Sequence, residues 1–85
     1  MIIAKVTGSV VSTRKMDSLI GNKFMVVEPI SGMRKSSESI VAVDNIGAGI
    51  GEYVLVTTGS SARVGSQGPD SPVDAAIVGI IDNLP

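Results

Sequence analysis

Eighty-five residues make one small domain, which by area scaling buries only about 60% of its unfolded surface, yet 44% of the chain is hydrophobic and the mean hydropathy is +0.40. That apolar surplus points to contact with other subunits, so an oligomer is expected. The chain has neither Cys nor His, which excludes disulfides, zinc fingers, thiol nucleophiles and imidazole bases, and its net charge of −1 gives no pull toward nucleic acid or an anionic membrane.

Twelve Val and ten Ile stand against three Leu, a β-branched bias that predicts a mostly β protein. A first strand is expected over residues 3–14, with Gly8 marking a bulge or bend where the strand curls around a barrel and serves two sides of the core. Residues 17–21 read as a short turn or a single helical turn, with Asp17 as cap and Gly21 behind. A second strand spans 23–28 and is closed by Pro29; the polar stretch 31–39 is a hairpin tip with no assigned chemistry. Strands three and four cover 39–44 and 53–58, separated by the glycine-rich run 47–51. A long connection over 59–72 leads to a helical turn at 72–76 and a last strand at 77–82. Five strands with a curled first member predict an all-β fold, a small five-stranded OB-like Greek-key barrel with one short helical turn, as a single domain over residues 1–85.

Charge is unevenly placed. Residues 1–35 carry six cations and two anions, a net +4, whereas residues 36–85 carry Arg63 against six anions, a net −5. Opposite halves suit a head-to-tail subunit contact, and they equally suit two solvated faces of one barrel. No run approaches the length of about 18 apolar residues that a membrane-spanning helix needs, and the N-terminus has no basic leader ahead of an apolar stretch, so a soluble cytoplasmic protein is expected.

The run Gly47-Ala48-Gly49-Ile50-Gly51 matches neither G-x-G-x-x-G nor a Walker A loop, and strand rather than helix follows it, so no helix dipole is available for a phosphate. Its glycines instead allow positive φ or close approach to a neighbouring backbone. Ser60 and Ser61 lack a basic partner and do not match a nucleophile elbow. The run from Gly59 to Arg63 reads as a tight turn, with the guanidinium holding a carboxylate or lining a constriction. Asp44 and Asp74 read as capping or salt-bridge residues, because the aspartates lack the spacing of a calcium loop. No catalytic residue, cofactor or metal site is assigned.

Three ordered blocks then carry a specific likeness. Residues 41–56 (VAVDNIGAGIGEYVLV), 59–63 (GSSAR) and 72–82 (PVDAAIVGIID), with agreement in 4–15 and 19–24, resemble the EutN/CcmL family of bacterial microcompartment vertex proteins. The resemblance implies a barrel that assembles into a homo-pentamer, caps the fivefold vertices of a polyhedral protein shell and contacts its hexameric or trimeric tiles. It also implies a structural role in the cytoplasm, with no enzymatic activity, no nucleic acid and no membrane. By this likeness Gly47, Gly49, Gly51, Glu52, Gly59, Ser60, Ser61, Arg63 and Asp74 lie near subunit contacts and the central pore. The alternative class is an OB-type binding module for single-stranded nucleic acid or a small ligand, disfavoured because only two aromatics, Phe24 and Tyr53, are present to stack on bases. A small hydrolase is a third class, disfavoured by the missing bases. Arg63, the only cation after residue 35, is expected to hold Glu52 or Asp74, within the barrel or across a subunit boundary.

Overall fold

The β-branched runs form five strands: β1 (Ile2–Val10), β2 (Lys23–Pro29), β3 (Ile40–Asp44), β4 (Tyr53–Thr58) and β5 (Ala75–Ile81), with a 3₁₀ turn at Asp17–Leu19 ahead of β2. The computed structural model describes residues 1–11, 17–19, 21–32, 38–59, 62 and 73–83. Hydrogen bonding in the order β1-β2-β3-β5-β4 closes the sheet into a barrel, which leaves no edge unpaired. Every pairing is antiparallel except that of β3 with β5.

β1 serves two sides of the barrel, as its length predicts. Ala4 and Lys5 pair with Val54 and Tyr53 of β4 on one edge and with Pro29 and Glu28 of β2 on the other. The register against β2 shifts between Val6 and Gly8, so the bulge expected at Gly8 is present and bends the strand. A second irregularity lies between β4 and β5, where Leu55 faces Gly79 and Val56 faces Ile77, leaving Val78 without a partner.

Alternation does the rest. Ile2, Ala4 and Val6 point inward with Met25, Val27, Ala42, Val54, Val56 and Ile77, and together they form the barrel core. A smaller cluster sits outside the barrel wall, where Val43 and Ala76 meet Val73, Ala62, Leu19 and Phe24. The 3₁₀ turn and the segment before β5 thus cover one stretch of outer wall.

Several boundaries differ from expectation. β1 stops at Val10, with Val11 irregular and exposed; residues 12–14 fall outside the described set. The helical turn expected at 72–76 is not formed over residues 73–76, because Ala75 and Ala76 already belong to β5, bonded to Thr58 and Thr57 of β4, while Ala76 also pairs with Val43 of β3. Two neighbouring strands supply partners there, and that outweighs alanine's helix preference. Pro29 ends β2 inside the ladder opposite Ala4, a strand-end position where its missing donor is tolerated. Of the expected hairpin tip at 31–39, residues 33–37 are outside the described set.

Candidate functional site

The loop between β3 and β4 is held by two carboxylates. Asp44 ends β3 with its side chain buried; Oδ1 accepts the amides of Ile46 at 2.9 Å and Gly47 at 3.0 Å, and Oδ2 accepts that of Ala48 at 2.8 Å. This is the capping role expected for Asp44, with three backbone donors satisfied by one side chain. Gly47 turns the chain at φ 98°, a left-handed conformation that favours glycine, and Ala48 drops into the barrel core. Glu52 closes the second half of the loop: its Oε1 accepts the Gly49 amide, and its own amide donates to the Gly49 carbonyl at 3.1 Å. A Cβ on Gly49 would stand 3.2 Å from that Oε1, so glycine keeps the carboxylate close.

β1 anchors the same loop. The Gly51 amide donates to the Val6 carbonyl at 2.8 Å and the Val6 amide to the Glu52 carbonyl at 2.9 Å, with Gly51 at φ 92°. The four predicted residues Gly47, Gly49, Gly51 and Glu52 are therefore one pinned lid on the barrel. Two isoleucines project from it: Ile46 is 48% exposed and Ile50 67%.

At the far end of β4, Gly59 takes φ 72° and donates its amide to the Asp74 carbonyl at 2.7 Å, while the Ala62 amide donates to the Gly59 carbonyl at 3.1 Å. The structure thus joins Gly59 to Asp74 through the main chain of Asp74. It places this pair and the 47–52 loop at opposite ends of β4. Ser60, Ser61 and Arg63 lie outside the described residues, as does the pairing expected of Arg63. An open groove of about 590 Å³ beside Gly59 and Asp74 is lined by Ile2, Ile40 and Val41, and Asp74 is its one ionisable side chain among the described residues. Small-molecule sites bring several polar groups to convergence, which this lining does not among the described residues.

Sequence reading missed the row that crosses the outer wall at the lid end. Glu28, Lys5, Tyr53 and Ile81 are successive cross-strand partners, and the Lys5 ammonium stands 5.7 Å from the centroid of the Tyr53 ring. These four residues are far apart in the chain, and only the barrel register aligns them. Among the described residues no three acidic side chains cluster to hold a metal.

The model of the family described as "Ethanolamine utilisation protein EutN/carboxysome" matches residues 1–82. The bacterial microcompartment shell vertex protein PduN of Salmonella typhimurium is 48% identical, over 99% of this chain and 98% of that protein. The carboxysome shell vertex protein CcmL of Synechococcus elongatus is 47% identical, over 99% and 86%. Among solved structures, the GrpN pentameric microcompartment shell protein from Rhodospirillum rubrum superposes with a TM-score of 0.85 at 44% identity, covering 100% of this chain and 98% of that one. An ethanolamine utilization protein EutN reaches a TM-score of 0.91 at 42% identity, covering 100% and 90%.

Proposed function

Because this chain belongs to the EutN/CcmL family, we propose that five copies join head to tail in a ring that closes the fivefold corners of a bacterial microcompartment shell. The protein is a shell vertex protein, and its place is the microcompartment shell within the cytoplasm. The observation that carries the pentamer is the full-length match to the pentameric shell protein from Rhodospirillum rubrum. The apolar surplus of so short a chain supports the same reading, since a small barrel has little interior in which to hide it.

The geometry explains why such a part is needed. Sixfold tiles make a flat sheet, and a flat sheet closes only when pentagons supply curvature. The ring therefore meets hexameric or trimeric shell tiles at its rim, not nucleic acid or membrane. In this reading the pinned 47–52 loop, Gly59 with Asp74, and the residues Ser60, Ser61 and Arg63 of the same sequence block lie at the subunit contacts and around the axis of the ring. Its role is structural, with no catalysis: the carboxylates of Asp44 and Glu52 hold backbone amides of their own loop.

Native mass spectrometry and light scattering on the purified protein test this reading. The expected species has the mass of five protomers. A monomer persisting at tens of micromolar would overturn the ring, and salt-sensitive binding of a single-stranded oligonucleotide by that monomer would favour the binding-module class instead.

A further inference from the structure

The outer wall formed by β1, β4 and the second half of β5 is apolar and, among the described residues, uncovered. Inward residues Ala4, Val54 and Val56 alternate with outward Ile3, Tyr53 and Leu55, and the register sets Ile3 beside Leu55, Leu55 beside Gly79, and Tyr53 beside Ile81. All five are half-buried, neither sealed in a core nor fully solvated, and Val78 next to them is 39% exposed. Charge enters only at the margin, where Lys5 and Glu28 continue the Tyr53 row. The wall around Val43 and Ala76 is different: Leu19, Val73 and Ala62 cover it from within the same chain.

Gly79 marks the centre of the open wall, and no contact among the described residues of its own protomer requires glycine there. It sits in the interior of β5, where a missing side chain weakens a strand. Its φ is not among the positive ones, so the adjoining bulge does not demand glycine. A Cβ built there meets, among the described residues, only Leu55, at 3.5 and 3.8 Å, which is ordinary contact. A strand glycine with room for a side chain on its own protomer signals a backbone or side chain approaching from outside.

We infer that this wall, centred on Gly79 and Leu55, is the surface against which a neighbouring copy of the same chain closes. The inference rests on the ring reading above and names one of its two contact faces. A second copy is the fitting occupant: the wall offers no charge for an ionic partner, and the related shell protein of matching fold is pentameric. Gly79 lets that copy come within backbone distance, and the flanking Ile3, Leu55 and Ile81 lose their remaining water contact.

The test substitutes Gly79→Val and, separately, Leu55→Glu, and follows assembly by analytical ultracentrifugation on dilution, with circular dichroism as the check on folding. Valine suits a strand and its Cβ has room on the protomer, so the Gly79→Val subunit should fold while the ring dissociates at a concentration raised roughly tenfold or more. Leu55→Glu, which places a charge on the wall, should do the same. Should Gly79→Val fail to fold, Leu55→Glu decides alone. Folded variants that remain pentameric to wild-type dilution overturn this surface and leave the ring reading intact, whereas a monomeric wild type overturns both.

Discussion

The carboxylate of Asp44 reaches four residues along the chain to the amide of Ala48, at 2.8 Å, and that bond seats Ala48 in the barrel core. Oδ1 meanwhile binds the intervening amides of Ile46 and Gly47. One side chain thereby satisfies the donors that the end of β3 leaves open and turns a glycine-rich loop into a fixed lid. The buried Ala48 donor in particular must be paired, and it lies outside the strand ladders.

Replacing Asp44 by alanine leaves three amides without their acceptor. The expected cost is about 3 kcal/mol, since bonds to a charged group are the stronger kind and the buried Ala48 amide is left without an acceptor. For a domain of this size that lowers Tm by roughly 12–24 °C. Asp44→Asn keeps one acceptor oxygen and should fall between. Thermal melts by circular dichroism at fixed protomer concentration read the order, and equal melts for all three proteins would dismiss the role assigned to Asp44.

Much of this architecture was legible from residue types. β4 matches its expected span from Tyr53 to Thr58, because a continuous apolar run bounded by glycines has one reading. The bulge at Gly8 was visible because a glycine interrupts a long β-branched stretch. The start of β5 was not, since Ala75 and Ala76 take strand geometry only through partners in β3 and β4. At the candidate site, the glycine requirement of residues 47–51 could be read locally, but the anchoring of Gly51 to Val6 could not, because it joins positions far apart in the chain. The apolar wall around Gly79 was hidden for the same reason: cross-strand neighbours are set by register, not by spacing.

Gly51→Ala tests the lid from its other end. Gly51 is held at φ 92° while its amide binds the Val6 carbonyl, so the chain cannot relax into a commoner conformation without losing that bond. A side chain there should cost about 1–2 kcal/mol. Urea midpoints measure it, and amide exchange at Gly51 should quicken in parallel. A variant as stable as wild type would mean that the loop is not pinned at Val6.

Among the described residues Met25 is the largest fully buried side chain, between Ser9 and Ala42 in the register. Met25→Ala removes most of its volume from a closed barrel that has little freedom to collapse, and should cost about 3 kcal/mol. Met25→Leu nearly conserves the volume and should cost less than about 1.5 kcal/mol. Chemical denaturation at a fixed protomer concentration separates the two, and similar losses for both would argue against tight packing at this position.

Arg63 supplies the last prediction. It is the only cation after residue 35, and its two expected partners are differently committed: Glu52 already accepts the Gly49 amide, whereas Asp74 is exposed and, among the described residues, supports Gly59 through its main-chain carbonyl. Asp74 is therefore the partner to test first. In a single solvated protomer such a pair is worth little. Desolvated at a subunit contact it becomes worth more to keep whole, because removing one member leaves the other charge buried and unpaired, at a cost of about 3 kcal/mol. Arg63→Ala should accordingly loosen the ring on dilution while leaving the fold of the subunit unchanged. Arg63→Lys should recover only part of the loss, since an ammonium cannot grip both carboxylate oxygens in parallel. A double-mutant cycle on ring dissociation assigns the partner: coupling of about 1 kcal/mol or more is expected between Arg63→Ala and Asp74→Ala, and next to none between Arg63→Ala and Glu52→Ala. A ring that dissociates at the wild-type concentration after Arg63→Ala would instead put the guanidinium in water, where it contributes charge around the axis and nothing to cohesion.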